Sequence, residues 1–252
     1  MSGSLAIVGI GPGADEWVTP EARALIEAAT DVVGYKPYLD RLPLRTAQRR
    51  HASDNRVELD RARHAIALAR AGNCVAVVSG GDPGVFAMAA AVFEALDQDG
   101  AGDLDVRVAP GVSAMQAAAA RLGAPLGHDF CVISLSDNLK PWDLVARRLA
   151  AASEADFVIA LYNPASKARP RRIFDAFALL RAKKDGATAV AFARAVGRSD
   201  ESLVLTTLAD ADPSIVDMAT LVLIGSSATR FVARGGAARP WLYTPRSAGG
   251  RA

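Results

Sequence analysis

Over the first 122 residues, short apolar runs alternate with helical patterns. Residues 5–9, 31–35, 74–79 and 104–109 read as strands, each rich in Val, Ile, Leu or Ala. Thr19-Pro20-Glu21 starts a helix that runs to about residue 29, because Thr can cap it and Pro suits its first turn. Further helices are predicted over 57–71 (closed by Gly72), 85–96 and 112–122, and residues 41–56 read as a basic loop. Strands separated by helices predict a mostly parallel sheet. Residues 122–127 form a linker, and the pattern then changes. Strand candidates at 130–135, 157–161, 188–193, 203–207 and 220–224 have only two clear helices among them, at 142–152 and 171–183. That pattern predicts a mixed sheet. The expected organisation is an α/β N-terminal domain over 1–122, a mixed-sheet domain over 123–245 and a mobile tail at 246–252.

The segment Val78-Ser79-Gly80-Gly81-Asp82-Pro83-Gly84-Val85-Phe86 joins a strand to a helix. It therefore falls at the carboxyl end of a buried strand, where open α/β sheets bind ligands. Two adjacent glycines would let a ligand touch the backbone. An ordinary strand-to-helix turn favours the same residues, so this segment alone leaves both roles open.

Composition narrows the function classes. At 252 residues and 51% hydrophobic content the chain can bury a sizeable core. With 29 basic and 27 acidic residues, net charge is only +2, and aromatics are 6%, which argues against a nucleic-acid surface. Cys74 and Cys131 lie far apart in apolar runs and read as buried, reduced thiols of a cytoplasmic protein. Three scattered histidines and no paired cysteines predict no metal site, and no apolar run predicts a membrane span.

Gly9-Ile10-Gly11-Pro12-Gly13-Ala14 formally fits the G-x-G-x-x-A dinucleotide fingerprint. In that fingerprint the helix begins inside the glycine loop. Here the capped start comes only at Thr19, and Asp31 opens the second strand instead of ending it, so the context argues against nicotinamide binding. Pro110-Gly111-Val112-Ser113-Ala114 forms a third loop after a strand; Ser113 could cap its helix, and small residues leave room for a flat ring. Tyr162-Asn163-Pro164 ends another strand and precedes Lys167, Arg169, Arg171 and Arg172, a cluster that fits either a solvated face or an anion site. Arg194 and Arg198 follow a further strand end and carry the same two readings.

Taken together, Gly9-x-Gly11-Pro12-Gly13, Gly80-Gly81-Asp82-Pro83-Gly84 and Pro110-Gly111-Val112-Ser113-Ala114 resemble the tetrapyrrole (corrin and porphyrin) methylases. So do Val33-Gly34-Tyr35-Lys36-x-Tyr38-Leu39, Ser134-Leu135-Ser136-Asp137 and Tyr162-Asn163-Pro164-x-Ser166-x-x-Arg169. The resemblance runs from about residue 5 to residue 246 and implies the two-domain fold of that family. It also implies methyl transfer from S-adenosylmethionine to C17 of a corrin precursor, coupled to contraction of the macrocycle and releasing S-adenosylhomocysteine. A sibling methylase acting at another ring carbon, or a non-catalytic tetrapyrrole-binding module of the same fold, would share the cofactor motifs.

Carried over residue by residue, the resemblance assigns the cofactor to Pro12, Gly80, Gly81, Asp82, Val85, Phe86, Ser113 and Ala114, with Tyr162, Asn163 and Ala191 from the second domain. In the family the cofactor lies between the domains. Substrate carboxylates would suit Arg169, Arg171, Arg194 and the Arg45, Arg49 and Arg50 group. Ring contraction needs proton transfers, for which Asp82, His128 and Asp129 are the motif-embedded acids and bases. The family precedent is a homodimer.

Overall fold

The computed structural model describes residues 3–43, 45–54, 57–100, 102–166, 168–236 and 238–247. The chain divides into two compact units, Met1–Ala114 and Met115–Ala252.

In unit 1, β1 (Ser4–Gly9), β2 (Asp31–Tyr35), β3 (Arg49–Ser53), β4 (Cys74–Ser79) and β5 (Asp105–Ala109) form one sheet in the order β3-β2-β4-β1-β5. Every pairing is parallel, with Leu5 opposite Val75 and Ile7 opposite Val77. Successive strand residues point to opposite faces, and helices cover both. Leu5, Ile7, Val33, Val75 and Val77 pack with α3 (Glu58–Arg70) and α4 (Met88–Gln98). Val8, Val32 and Val78 pack with α1 (Pro20–Ala28) and with Leu39 of the short α2 (Lys36–Leu39). Thr19 Oγ1 accepts the Ala22 N–H at 3.1 Å and caps α1.

Three expectations change here. The basic loop contains β3, which Arg49-Arg50-His51-Ala52-Ser53 hid because it has no apolar run. It is held at the sheet edge through polar side chains. Asp31, wholly buried on the neighbouring strand, accepts hydrogen bonds from Arg49 Nε at 2.8 Å, Arg49 Nη2 at 2.7 Å, Thr30 Oγ1 at 2.7 Å and His51 Nε2 at 2.8 Å. The Arg49 guanidinium holds the Asp31 carboxyl far below the usual carboxylate range, against the opposing effect of burial. His51 Nδ1 meets His64 Nε2 at 2.9 Å, and because an ionised Asp31 can only accept, the proton on His51 faces Asp31. Next, the expected helix at 85–96 begins at Met88, and the one at 112–122 begins at Ala114. Finally, Cys74 is exposed at the first position of β4, whereas Cys131 is half-buried and burial pushes its thiol up.

Unit 2 carries α5 (Ala114–Leu122), whose first residue closes unit 1, and a mixed sheet in the order β10-β9-β11-β8-β7. The strands are β7 (Phe130–Ser134), β8 (Val158–Tyr162), β9 (Ala189–Arg194), β10 (Ser202–Thr207) and β11 (Thr220–Ile224). Only β7 and β8 run parallel, while β11 pairs antiparallel with β8 and β9, and β10 with β9. Two helices, α6 (Trp142–Glu154) and α7 (Arg172–Lys183), pack on this sheet through Val145, Leu149, Ile173, Phe177 and Leu180. A small second sheet runs through the predicted linker and the last part of the expected 123–245 domain. It joins β6 (Gly123–Ala124), β12 (Arg230–Val232) and β13 (Trp241–Tyr243) in the order β12-β13-β6. Of the residues expected to form the mobile tail, 248–252 lie outside the described residues. No described helix is long and apolar enough to cross a membrane.

Candidate functional site

In unit 1 the strand order puts β1 between β4 and β5, so three loops emerge side by side at their carboxyl ends. These loops span residues 10–13, 80–87 and 110–113. They touch backbone to backbone. Gly11 N–H donates to the Gly81 carbonyl at 3.2 Å, and Gly81 N–H returns a bond to Gly11 at 3.0 Å. A Cβ on Gly9 would lie 2.6 Å from the Gly81 oxygen, and one on Gly111 only 2.3 Å from it. Gly9 and Gly111 are therefore needed for loop packing. Gly81 differs: its φ is +69°, and a Cβ there would meet nothing nearer than 3.9 Å. A Cβ there would make only ordinary van der Waals contact with Val112, Ser113 and Ala114, so the left-handed backbone, not crowding, is what calls for glycine. Gly80 abuts Tyr38, whose ring Cζ would lie 2.7 Å from a Cβ.

The structure brings the eight unit 1 candidates onto these loops. Pro12 is on the first loop, Gly80, Gly81, Asp82, Val85 and Phe86 on the second, and buried Ser113 on the third, with Ala114 opening α5. Phe86 is half exposed with φ +52°. A bulky residue in that region costs about 1–2 kcal/mol, and such strain clusters at binding sites. Asp82 ties loops together: Oδ1 accepts the Gly84 N–H at 2.8 Å and Oδ2 accepts the Gly111 N–H at 3.0 Å.

Unit 2 places a different set of groups at the parallel ends of β7 and β8, where Ser134 pairs with Tyr162. Asn163 adopts φ +51°, a conformation Asn tolerates better than most residues, and donates Nδ2–H to Ser134 Oγ at 2.9 Å. The Tyr162 hydroxyl accepts the Met115 N–H at 3.0 Å and so caps the first turn of α5. Burial raises the Asp137 carboxyl, but Arg172 Nε at 2.7 Å and the nearby Arg169 outweigh it and hold the pKa low.

Other candidates stand apart or are already engaged. His128 and Asp129 precede β7, at the opposite end of that strand from Ser134, and His128 Nδ1 accepts the Asp129 N–H at 2.7 Å. Ala191 is wholly buried in β9 between Leu205 and Leu223. Arg194 is clamped by Asp217 and Asp200, both at 2.8 Å, and Arg169 lies over Asp137 and the Leu135 carbonyl. Arg49 holds Asp31, Arg50 pairs with Asp40, and Arg45 donates to the Glu27 carbonyl. Arg171, exposed at the start of α7, makes no ion pair among the described residues. Lys167 lies outside the described residues. No three His, Cys, Asp or Glu side chains among the described residues converge as a metal-binding set. A cavity of about 400 Å³ lies between β3 and α3 beside His51, Arg61 and His64, and none of the glycine loops lines it.

Sequence reasoning passed over Arg41, whose guanidinium faces the first glycine loop, and it gave Ser134 no role of its own. Arg41 stands in a stretch without periodicity and carries no signal of its contacts. Ser134 belongs to a motif, but its partner Asn163 is 29 residues away.

The profile of the Tetrapyrrole (Corrin/Porphyrin) Methylases matches residues 4–212, and the chain belongs to that family. It is 57% identical to a precorrin-3B C(17)-methyltransferase from Sinorhizobium sp, over 98% of this chain and 97% of that protein. It is 48% identical to the cobalamin biosynthesis protein CobIJ of Mycobacterium tuberculosis (strain ATCC 25618 / H37Rv), over 98% of this chain, and spans 48% of that longer protein. The crystal structure of the methyltransferase CobJ superposes with a TM-score of 0.92 at 48% identity, covering 97% of this chain and all of that one. A uroporphyrin-III C-methyltransferase from Thermus thermophilus, complexed with S-adenosylhomocysteine, shares the fold at 22% identity with a TM-score of 0.66, over 88% of this chain and 97% of that one.

Proposed function

We propose that the protein is an S-adenosylmethionine-dependent methyltransferase that methylates C17 of precorrin-3B, with ring contraction to precorrin-4, in cobalamin biosynthesis. The full-length 57% identity to a precorrin-3B C(17)-methyltransferase carries the choice of substrate and carbon. For the cofactor, the supporting observation is the loop cluster, where Gly81 holds a left-handed backbone without crowding while Gly9 and Gly111 keep the backbones close.

The unit 1 residues that would hold the cofactor are Pro12, Gly80, Gly81, Asp82, Val85, Phe86, Ser113 and Ala114; in unit 2 the family resemblance adds Tyr162 and Asn163 as candidates. When bound, S-adenosylmethionine supplies a methyl group already activated by its sulfonium. The chain's own task is then orientation and exclusion of water. Backbone groups at Gly80–Asp82 would take the polar ends, and Phe86 would cover an apolar part. Among the described residues Arg171 makes no ion pair and is a candidate for the substrate carboxylates, whereas Arg169 and Arg194 are held by Asp137, Asp200 and Asp217. His128 and Asp129 have no place in this reading. A homodimer in a reducing cytoplasm completes it, with both cysteines free.

Calorimetric titration with S-adenosylhomocysteine, beside NADH, tests the cofactor, with saturable one-site binding of the former expected. Incubation with precorrin-3B and methyl-labelled cofactor, with carbon NMR of the product, tests the position. Label at a carbon other than C17 would assign the chain to a sibling methylase, and binding of NADH alone would overturn the proposal.

A further inference from the structure

The three loops of unit 1 are laced by two side chains of opposite charge. Arg41, half-buried just after α2, donates Nη1–H to the Gly11 carbonyl at 3.2 Å, and Nη2–H to the Ile10 carbonyl at 3.1 Å and the Gly13 carbonyl at 2.9 Å. A planar guanidinium can reach three carbonyls of one tight loop, which an ammonium cannot do in the same geometry. Asp82 does the complementary work on amide groups, taking Gly84 N–H on one oxygen and Gly111 N–H on the other. Between them, Gly11 and Gly81 exchange two backbone bonds. Carbonyls of the first loop thus turn toward a cation, and amides of the second and third toward an anion.

We propose that Arg41 and Asp82 are positioning residues for the cofactor: they fix the backbone that meets it. This rests on the cofactor reading above. It also gives Asp82 a role other than carrying protons, since each of its oxygens already accepts a backbone N–H. Charge-assisted bonds of this kind are stronger than neutral ones, so their loss should be felt at the site.

The test uses the full chain with Asp82→Asn, Arg41→Lys and Arg41→Gln. In Asp82→Asn one acceptor oxygen becomes an NH2 facing a backbone N–H. The dissociation constant for S-adenosylhomocysteine should rise about 10- to 100-fold while the thermal midpoint moves little. KM for S-adenosylmethionine should rise by a similar factor, with the shape of the pH–rate profile kept. Hydrogen exchange in the segment 109–114 should quicken. Arg41→Lys should fall between the parent and Arg41→Gln, because it keeps the charge and loses the fork.

Unchanged affinity in Asp82→Asn with the loss of one limb of the pH profile would make Asp82 a proton carrier and overturn the proposal. Unchanged affinity and exchange in all three variants would overturn it too. If the parent protein binds no S-adenosylhomocysteine, the cofactor reading fails instead, and exchange at 109–114 still reports whether Asp82 holds Gly111. Should Asp82→Asn not fold, Arg41→Lys carries the same comparison.

Discussion

The strand ends of unit 1 and of unit 2 solve the problem of presenting chemistry in different ways. In unit 1 the loops after β1, β4 and β5 pack backbone on backbone, with Gly9, Gly11 and Gly111 against Gly81, and Arg41 and Asp82 lace them. In unit 2 the ends of β7 and β8 are joined by side chains: Asn163 to Ser134, the Tyr162 hydroxyl to the first turn of α5, Asp137 to Arg172. A backbone surface lets a ligand come close and tolerates almost no added atom. A side-chain surface can be retuned residue by residue, and its charges are largely neutralised in place. The contrast predicts that single substitutions act all-or-none at the packed loop glycines of unit 1 and by degrees at the side-chain contacts.

The largest effect should come from Gly111→Ala. Its Cβ would sit 2.3 Å from a backbone oxygen that has no rotamer to escape into, so the loops must part. Overpacking of this kind costs about 1–3 kcal/mol, and binding of S-adenosylhomocysteine should be lost with it. Gly81→Leu sharpens the point. Its Cβ would meet only ordinary van der Waals contacts, so the stability loss should come mainly from the left-handed backbone, about 1–2 kcal/mol, while calorimetry shows no binding. If Gly81→Leu still binds, the Gly81 backbone does not meet the ligand.

Next in size is Asn163, where backbone and side chain can be separated. Asn163→Ala keeps the positive φ without the Ser134 bond and should lose about 1–2 kcal/mol in denaturant unfolding. Asn163→Gly loses the same bond but relieves the backbone, so it should be the milder variant. The reverse order would show that the left-handed backbone at 163 carries little strain.

Acid should separate the two regions as well. The pKa of Asp31 is lowered in the fold, chiefly by Arg49, so its contribution to stability is fully present above its ordinary value of 3.8 and fades as pH falls below it. Asp31 is wholly buried, whereas Asp137 is partly exposed and its pair is correspondingly screened. Acid unfolding below about pH 4 should therefore expose the β2–β3 edge of unit 1 first, and Asp31→Asn should flatten that limb. The smallest effect is expected at Arg171→Gln: a rise of a few-fold in KM for the corrin substrate at low salt, fading as salt rises.

Much of the architecture was legible from periodicity. The apolar runs of β1, β2 and β4 alternate onto two buried faces, and Thr19 and Pro20 mark the start of α1 as expected. β3 was not legible, because Arg49-Arg50-His51-Ala52-Ser53 pairs by charge with a buried Asp31 from another strand. β6 and β13 were hidden for a similar reason. Two or three residues in a glycine-rich stretch form strands only because they pair across more than a hundred positions, Leu242 with Gly123. Cys74 read as buried from its neighbours, yet the first residue of a strand projects from the sheet's end.

The sequence by itself determined which segments fold locally and, through glycine loops in a fixed order, which family the chain belongs to; short-range sterics and spacing suffice for both. Only the tertiary structure decided what each polar group does. It set Asp82 on two backbone amides, bound Arg194 and Arg169 to carboxylates, placed His128 and Asp129 at the far end of β7 and put Arg41 on the first glycine loop. A charged side chain's role depends on which partner comes within about 3 Å, and partners remote in sequence meet only after the strands have been ordered.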